Sequence, residues 1–420
     1  MLFFRPSERH PMEASTTPVP FPSSPAPRRV AYSPLPGACA AVLLLIVCSA
    51  SSAGPREQAA RIHARLTGVP PTEAVLESMA ADITAGQASK AAYTAMQNDN
   101  FYSVVLKNFA MPWTNRAQTQ YAPLNDYVAT VIGMVRDDVP FNTVLSADIL
   151  YVGASSLGLP AYSTTNNDHY AQLESTGAKL GNPAVLVQTT QSSVAGIPAA
   201  ATAGVMTTRA SAQSFFQLGT NRAMFRFTLI NHLCRDVTDV MDTSRPPDRI
   251  RQDVSRSPGG DSRVFMNNCI GCHSGMDPMA QAFAYYDFVF TTDPSTGSIQ
   301  YSAGKPVAKY FHNNTTFPAG FVTPDDSWTN RWRQGPNSVL GWNTALPGSG
   351  NGAKSLGAEL AGSDQFAQCQ VQKVFKAVCL RPPSNDADRS QVATIASTFK
   401  TTGYKLKQVF ADTAAYCSGS

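Results

Sequence analysis

Apolar positions recur at helical spacing along much of the chain. In the stretch EAVLESMAADI, opened by Pro71 and Thr72, the residues Val75, Leu76, Met79, Ala80 and Ile83 keep a 3.6-residue period and predict an amphipathic helix. The same spacing predicts a second helix over Ala88–Phe109 and a third over Leu124–Val135, which Asp137 and Asp138 end. His63 and Trp113, in or beside this region, read as core or surface residues. Residues 153–200 are rich in Ser, Thr, Gly, Asn and Pro and read as loop, with one β-strand at Ala184–Thr190. A helix is predicted over Thr220–Val237 with Thr220 as its N-cap, followed by a polar linker from Thr243 to Gly260. Asp261 then caps SRVFMNNCIGCH, so that the cysteine pair ends a helical stretch. Residues 291–350 show no period and predict short strands or packing against something large. Within 348–355, GSGNGAKS lacks the Gly-Lys pair of a phosphate loop because Ala353 intervenes, and it reads as a flexible loop. Three helical runs close the chain, Ser363–Leu380, Ser384–Lys400 and Tyr404–Tyr416, separated by Pro382-Pro383 and by Gly403. The fold class expected is mainly α, with segments 54–200 (a helical N-terminal module and loop-rich linker), 201–360 and 361–420 (a C-terminal helical bundle).

The first 53 residues form a different kind of segment. Ala38–Cys48 is an eleven-residue apolar run behind Arg28-Arg29 and before SASSAG. A positive flank, a short apolar core and small residues after it describe a secretory signal, with Ala53 as the last residue removed. The expected location is therefore periplasmic or extracellular. No apolar run reaches the roughly 18 residues that a membrane-spanning helix needs.

Charge narrows the partners. Lys plus Arg number 33 against 29 acidic residues, a net charge of +4, and only 15% of the chain is charged. That balance is too mild for a nucleic-acid binder, which carries a clustered basic face. Residues 1–53 hold four basic and two acidic residues, leaving the rest at +2.

The chemistry concentrates at Cys269-Ile270-Gly271-Cys272-His273. C-x-x-C-H is the attachment sequence of c-type haem: two thiols one helical turn apart suit the two vinyl groups, and the adjacent imidazole reaches the iron. Zinc would need a second pair of ligands, and neither another C-x-x-C nor an H-x-x-x-H is present. A thioredoxin-type dithiol should open a helix after a strand. The expected cofactor is one covalent haem c, held by Cys269 and Cys272 with His273 on the iron.

The motif and its surroundings, CIGCHSGMDP followed by Ala282 and Tyr286-Asp287, resemble the planctomycete-type cytochrome c-like domain families. Phe366, Ala367, Cys369 and Arg381 are similar to the C-terminal partner module of those families, and Leu145, Ala147 and Asp148 to their N-terminal helical module. The chain departs at Gln281, where the families tend to have Phe, and carries Cys379 as an extra cysteine. The resemblance implies a periplasmic, mostly helical haem protein of unestablished role, with residues 201–360 as its cytochrome c-like part.

Two further expectations follow from spacing. An oxidising compartment would tend to pair Cys234, Cys369, Cys379 and Cys417, the alternative being buried free thiols. Cys369 and Cys379 lie ten residues apart on one predicted helix, about 15 Å, too far to bridge. An up-down-up tail brings Cys379 to Cys417, leaving Cys234 for Cys369. For the second axial ligand, Met276 and Met279 sit too close to His273 to wrap to the far face, as does Met266. His312 is the expected ligand, with Met206, Met224, Met241 and His232 as upstream alternatives. The function expected is transfer of single electrons to a redox protein partner. The alternatives are a haem enzyme with an open iron position, or an accessory protein for extracellular polymers with a structural haem.

Overall fold

The computed structural model describes residues 53–419 apart from 218, 294, 312–314, 316 and 317. The expected signal segment and the expected ligand His312 lie outside the described residues, as does all of 1–52.

Helix dominates. The chain opens with α1 (Pro55–Thr67), α2 (Glu73–Thr84) and α3 (Ala88–Ala95). The Thr72 hydroxyl accepts from the Val75 N–H and starts α2 where the sequence places it. The expected helix over Ala88–Phe109 is interrupted. After α3 the chain passes through a π-helical turn (Phe101–Leu106), α4 (Lys107–Ala110) and a 3₁₀ turn (Met111–Thr114). Periodicity does not distinguish these windings from a continuous α-helix. The next elements are α5 (Asp126–Arg136), β1 (Leu150–Gly153), α6 (Asp168–Ser175), β2 (Leu186–Thr189) and α7 (Gln191–Val194). β2 is the expected strand, and its partner β1 runs antiparallel with Leu150 opposite Thr189.

The second half begins with α8 (Arg209–Phe215) and α9 (Arg222–Thr228). The N-cap of α9 is Asn221, at φ 57°, in place of the expected Thr220. Asn tolerates the left-handed region that a β-branched Thr avoids, and its amide donates to the carbonyls of Phe283 and Tyr286. α9 runs into a π-helical turn (Leu229–Leu233) that stops at Cys234. Then come α10 (Ser262–Asn268) and α11 (Ile270–Ala280). Asp261 caps α10 as expected, accepting from the Arg263 N–H.

Short antiparallel pairs follow, β3 (Tyr286–Phe290) with β4 (Gly297–Tyr301) and β5 (Ser327–Thr329) with β6 (Ser349–Asn351), and β4 and β5 lie within the unpatterned segment. β6 turns at Gly352 straight into α12 (Gly352–Ala361), so GSGNGAKS is a strand-to-helix junction and not a flexible loop. Its donors are already engaged: the Gly352 N–H bonds to the Asp326 carbonyl, and the Asn351 amide to the Asp326 carboxylate. The tail is α13 (Asp364–Cys379), α14 (Asp386–Thr401) and α15 (Leu406–Tyr416). α13 packs on both α14 and α15.

One apolar core runs from Ala59 on α1 to Ala414 on α15. α1, α2 and α3 pack on one another, and α1 and α3 also pack on α15, so the two ends of the described chain share that core. Arg61 and Arg65 of α1 donate to the carbonyls of Ser418 and Val378. The disulfides Cys234–Cys369 and Cys379–Cys417 both form, with Cα separations of 5.3 and 5.5 Å. Among the described residues no helix is long and apolar enough to cross a membrane.

Candidate functional site

α10 ends at Cys269, whose φ of −113° breaks the winding, and α11 begins at Ile270. The cysteine pair therefore opens a helix, contrary to the expectation that it ends one. What precedes it is another helix and not the strand of a thioredoxin-type site. Cys269 occupies the N-cap position of α11, and its carbonyl accepts from the His273 N–H at 3.1 Å. This first turn places Cys272 and His273 together, and both cysteines are free thiols, partly exposed. Burial pushes the Cys272 thiol up, with Asp236 and Cys269 adding to the effect. Such a thiol is a poor redox nucleophile at neutral pH.

α11 is anchored on its far side. Gly275 lies against the fully buried Trp332, and a Cβ there would stand 2.0 Å from the indole nitrogen. Met276 and Met279 point into the core. The segment before the linker is tied to the same helix. The Asp242 N–H donates to the Gly271 carbonyl at 2.9 Å, and the Ser274 hydroxyl to the Asp242 carbonyl at 2.7 Å. That tether brings Met241 against Gly271, with its side chain half exposed. Of the upstream ligand alternatives, Met206, Met224 and His232 are buried in the main core; His232 Nε2 is engaged by the Tyr127 hydroxyl at 2.7 Å.

Electrostatics fix the imidazole. His273 Nδ1 is 3.1 Å from an oxygen of Asp277, one helical turn on, and Asp277 has no solvent exposure. Burial alone would keep that carboxyl protonated. The Arg222 guanidinium, with the hydrogen bond from His273, overrides burial and holds it far below the ordinary carboxylate range. Arg222 donates to Asp277 from Nε and Nη2, at 2.7 and 3.0 Å, and to both oxygens of Asp253, at 2.6 and 2.9 Å. Arg251, fully buried behind this group, stacks on Tyr310 with its guanidinium carbon 4.4 Å from the ring centre and donates to the Thr220 carbonyl. An ionised carboxylate only accepts, so Nδ1 of His273 carries a proton, and in the neutral ring Nε2 presents its lone pair. Nε2 has no hydrogen-bond partner among the described residues.

These residues suit a haem c. Two unbridged thiols stand one turn apart, the adjacent imidazole is held in the tautomer that ligates through Nε2, and apolar side chains are exposed nearby. Val264 and Met266 on α10 face solvent, as does Met241; an open cleft of about 560 Å³ lies along α10, lined by Phe265 and Met266 together with the polar Asp248, Arg256 and Ser262, and none of Cys269, Cys272 and His273 lines it. Among the described residues no group of three or more His, Cys, Asp or Glu side chains is placed to hold a metal ion by itself.

The sequence reading found Cys269, Cys272 and His273 but not Arg222, Asp253 and Arg251. Asp277 carried a signal, since His and Asp at i and i+4 share a helix face. The others carried none, because Arg222 and Asp277 are 55 residues apart and Asp253 is 31 from Arg222. Comparison with known proteins finds no family model, no curated protein and no solved structure that matches the chain.

Proposed function

We propose that the chain is an exported c-type cytochrome-like protein that carries one covalent haem and passes single electrons to a protein partner. The observation that carries this reading is the free Cys269/Cys272 pair beside an imidazole whose Nδ1–H is taken by the buried Asp277. The other four cysteines outside the first 53 residues are bridged, which suits an oxidising compartment. Each thiol would add its S–H across one vinyl group, forming a thioether with no leaving group. His273 would ligate the iron through Nε2, and Asp277 would keep the ring oriented and strengthen it as a donor. The bound group supplies one-electron redox chemistry; the chain sets its potential through this ligand, the hydrogen bond behind it and the degree of burial. The test is acid–acetone extraction of protein made in a haem-attaching periplasm. Haem should stay on the polypeptide at one per chain, and the Cys269→Ala/Cys272→Ala variant should carry none. Haem lost to acid–acetone would falsify the covalent assignment.

The Asp277–His273 hydrogen bond also favours a second reading. A carboxylate-backed imidazole is a strong donor that stabilises ferric iron, a property useful to a haem enzyme with an open iron position. A six-coordinate low-spin ferric spectrum supports the electron carrier. A high-spin ferric spectrum with immediate binding of cyanide supports the enzyme.

A further inference from the structure

A cleft that shares no lining residue with the C-x-x-C-H motif opens between α1, the segment around α4, and α13, with a volume of about 840 Å³. Its floor is aromatic. Phe109 and Trp113 form an edge-to-face pair with ring centres 4.9 Å apart. Its walls are cationic. Arg61, Arg65, Lys373 and Lys376 line it, and no Asp or Glu does. The cleft continues into a polar extension of about 470 Å³ that shares Trp113, Lys373 and Lys376 and again contains no carboxylate. Neither lysine forms an ion pair or a hydrogen bond among the described residues; the Lys373 ammonium is held only over the Trp113 ring, 4.4 Å from its centre.

Charge of one sign collected in a partly enclosed, apolar-floored space is unfavourable unless an anion joins it. Burial, and then the neighbouring Lys376, pull the Lys373 pKa down to about 7. The rim carries an apolar side chain. Leu380 ends α13 in the left-handed region at φ 58°, a conformation that costs a Leu free energy, and its side chain lines the cleft while 74% exposed.

We propose that this cleft binds a small amphipathic carboxylate, its apolar body against Phe109, Leu380 and the edge of Trp113, and its carboxylate between Lys373 and Lys376. Such a body is either a fused aromatic ring or a medium acyl chain; the volume admits both. The proposal uses neither the haem nor its motif.

Titration calorimetry of the chain lacking residues 1–53 tests it with 1-naphthoate and decanoate, each against its neutral alcohol. We expect at least one acid to bind with a Kd below about 100 µM and its alcohol to bind at least tenfold more weakly. The tighter acid identifies the body as ring or chain. Lys376 is exposed, so Lys376→Glu should keep the fold, verified by an unchanged thermal midpoint, and should weaken the acid at least tenfold. Acid and alcohol binding equally, an affinity unmoved by Lys376→Glu, or no binding of either acid at millimolar concentration would each overturn the proposal.

Discussion

Asp277 is charged in a place where burial alone would keep it neutral, and the reason is Arg222. Removing one member of a buried pair leaves the other uncompensated, which typically costs 3–5 kcal/mol. Arg222 retains Asp253, so Asp277→Asn should cost less, about 2–3 kcal/mol in denaturant unfolding at pH 7. The sign with pH follows from the lowered folded pKa. This stabilisation is complete above the ordinary carboxylate value near pH ~4 and is lost as pH falls from there toward the folded value. Lys373 works in the opposite sense. Its folded pKa of about 7 lies below the unfolded value near ~10.4, so its cost to the fold is full below pH 7 and fades as pH rises toward the unfolded value. Lys373→Met should therefore stabilise the protein by up to about 4–5 kcal/mol at pH 6, with the gain shrinking steadily between pH 7 and pH 10. A gain that stays constant across that range would show that Lys373 is not the titrating group.

At the scale of elements, α11 depends on two close approaches. Gly275 lets the helix lie on Trp332, and Gly271 lets it lie beside Met241. Gly275→Ala forces a fully buried indole or the helix itself to move, at a cost of about 2–3 kcal/mol, without touching either cysteine. Its thermal midpoint should fall while haem attachment persists. The tail shows a different dependence. The Cys379–Cys417 bridge closes a loop with a sequence separation of 38, and chain entropy alone makes it worth up to about 4 kcal/mol. Cys379→Ser/Cys417→Ser should lower the midpoint of the whole protein, because α13 and α15 belong to the shared core. Helix arithmetic was enough to read this bridge, since ten residues on one helix cannot close on themselves and an up-down-up tail sets its ends side by side. The same arithmetic missed the π-helical turns at Phe101–Leu106 and Leu229–Leu233, where tertiary packing of the apolar stripe outweighs local hydrogen-bond geometry.

For the whole molecule, the packing of α1 and α3 on α15 makes the first and last described helices one unit. Residues 53–419 should therefore unfold in a single transition, with far-UV circular dichroism and tryptophan fluorescence tracing the same curve. Trp113 lies near one end of the chain, and Trp328, Trp332 and Trp342 in its second half, so separate modules would pull the two curves apart.

The residues alone determined what acts over one or two helical turns. The caps at Thr72 and Asp261, the tail helices, the exclusion of a Cys369–Cys379 bridge and the contiguous C-x-x-C-H all depend on neighbours within a few positions or on the rigidity of one helix. The tertiary structure decided what depends on closure of the chain. It moved the cysteine pair from the end of one helix to the start of the next, and it set Arg222 and Asp253 behind Asp277. It also assembled the cationic cleft from residues near 61–68, 105–120 and 373–380. Burial and charge pairing have no sequence period, because they depend on which distant segments share the space from which water is excluded.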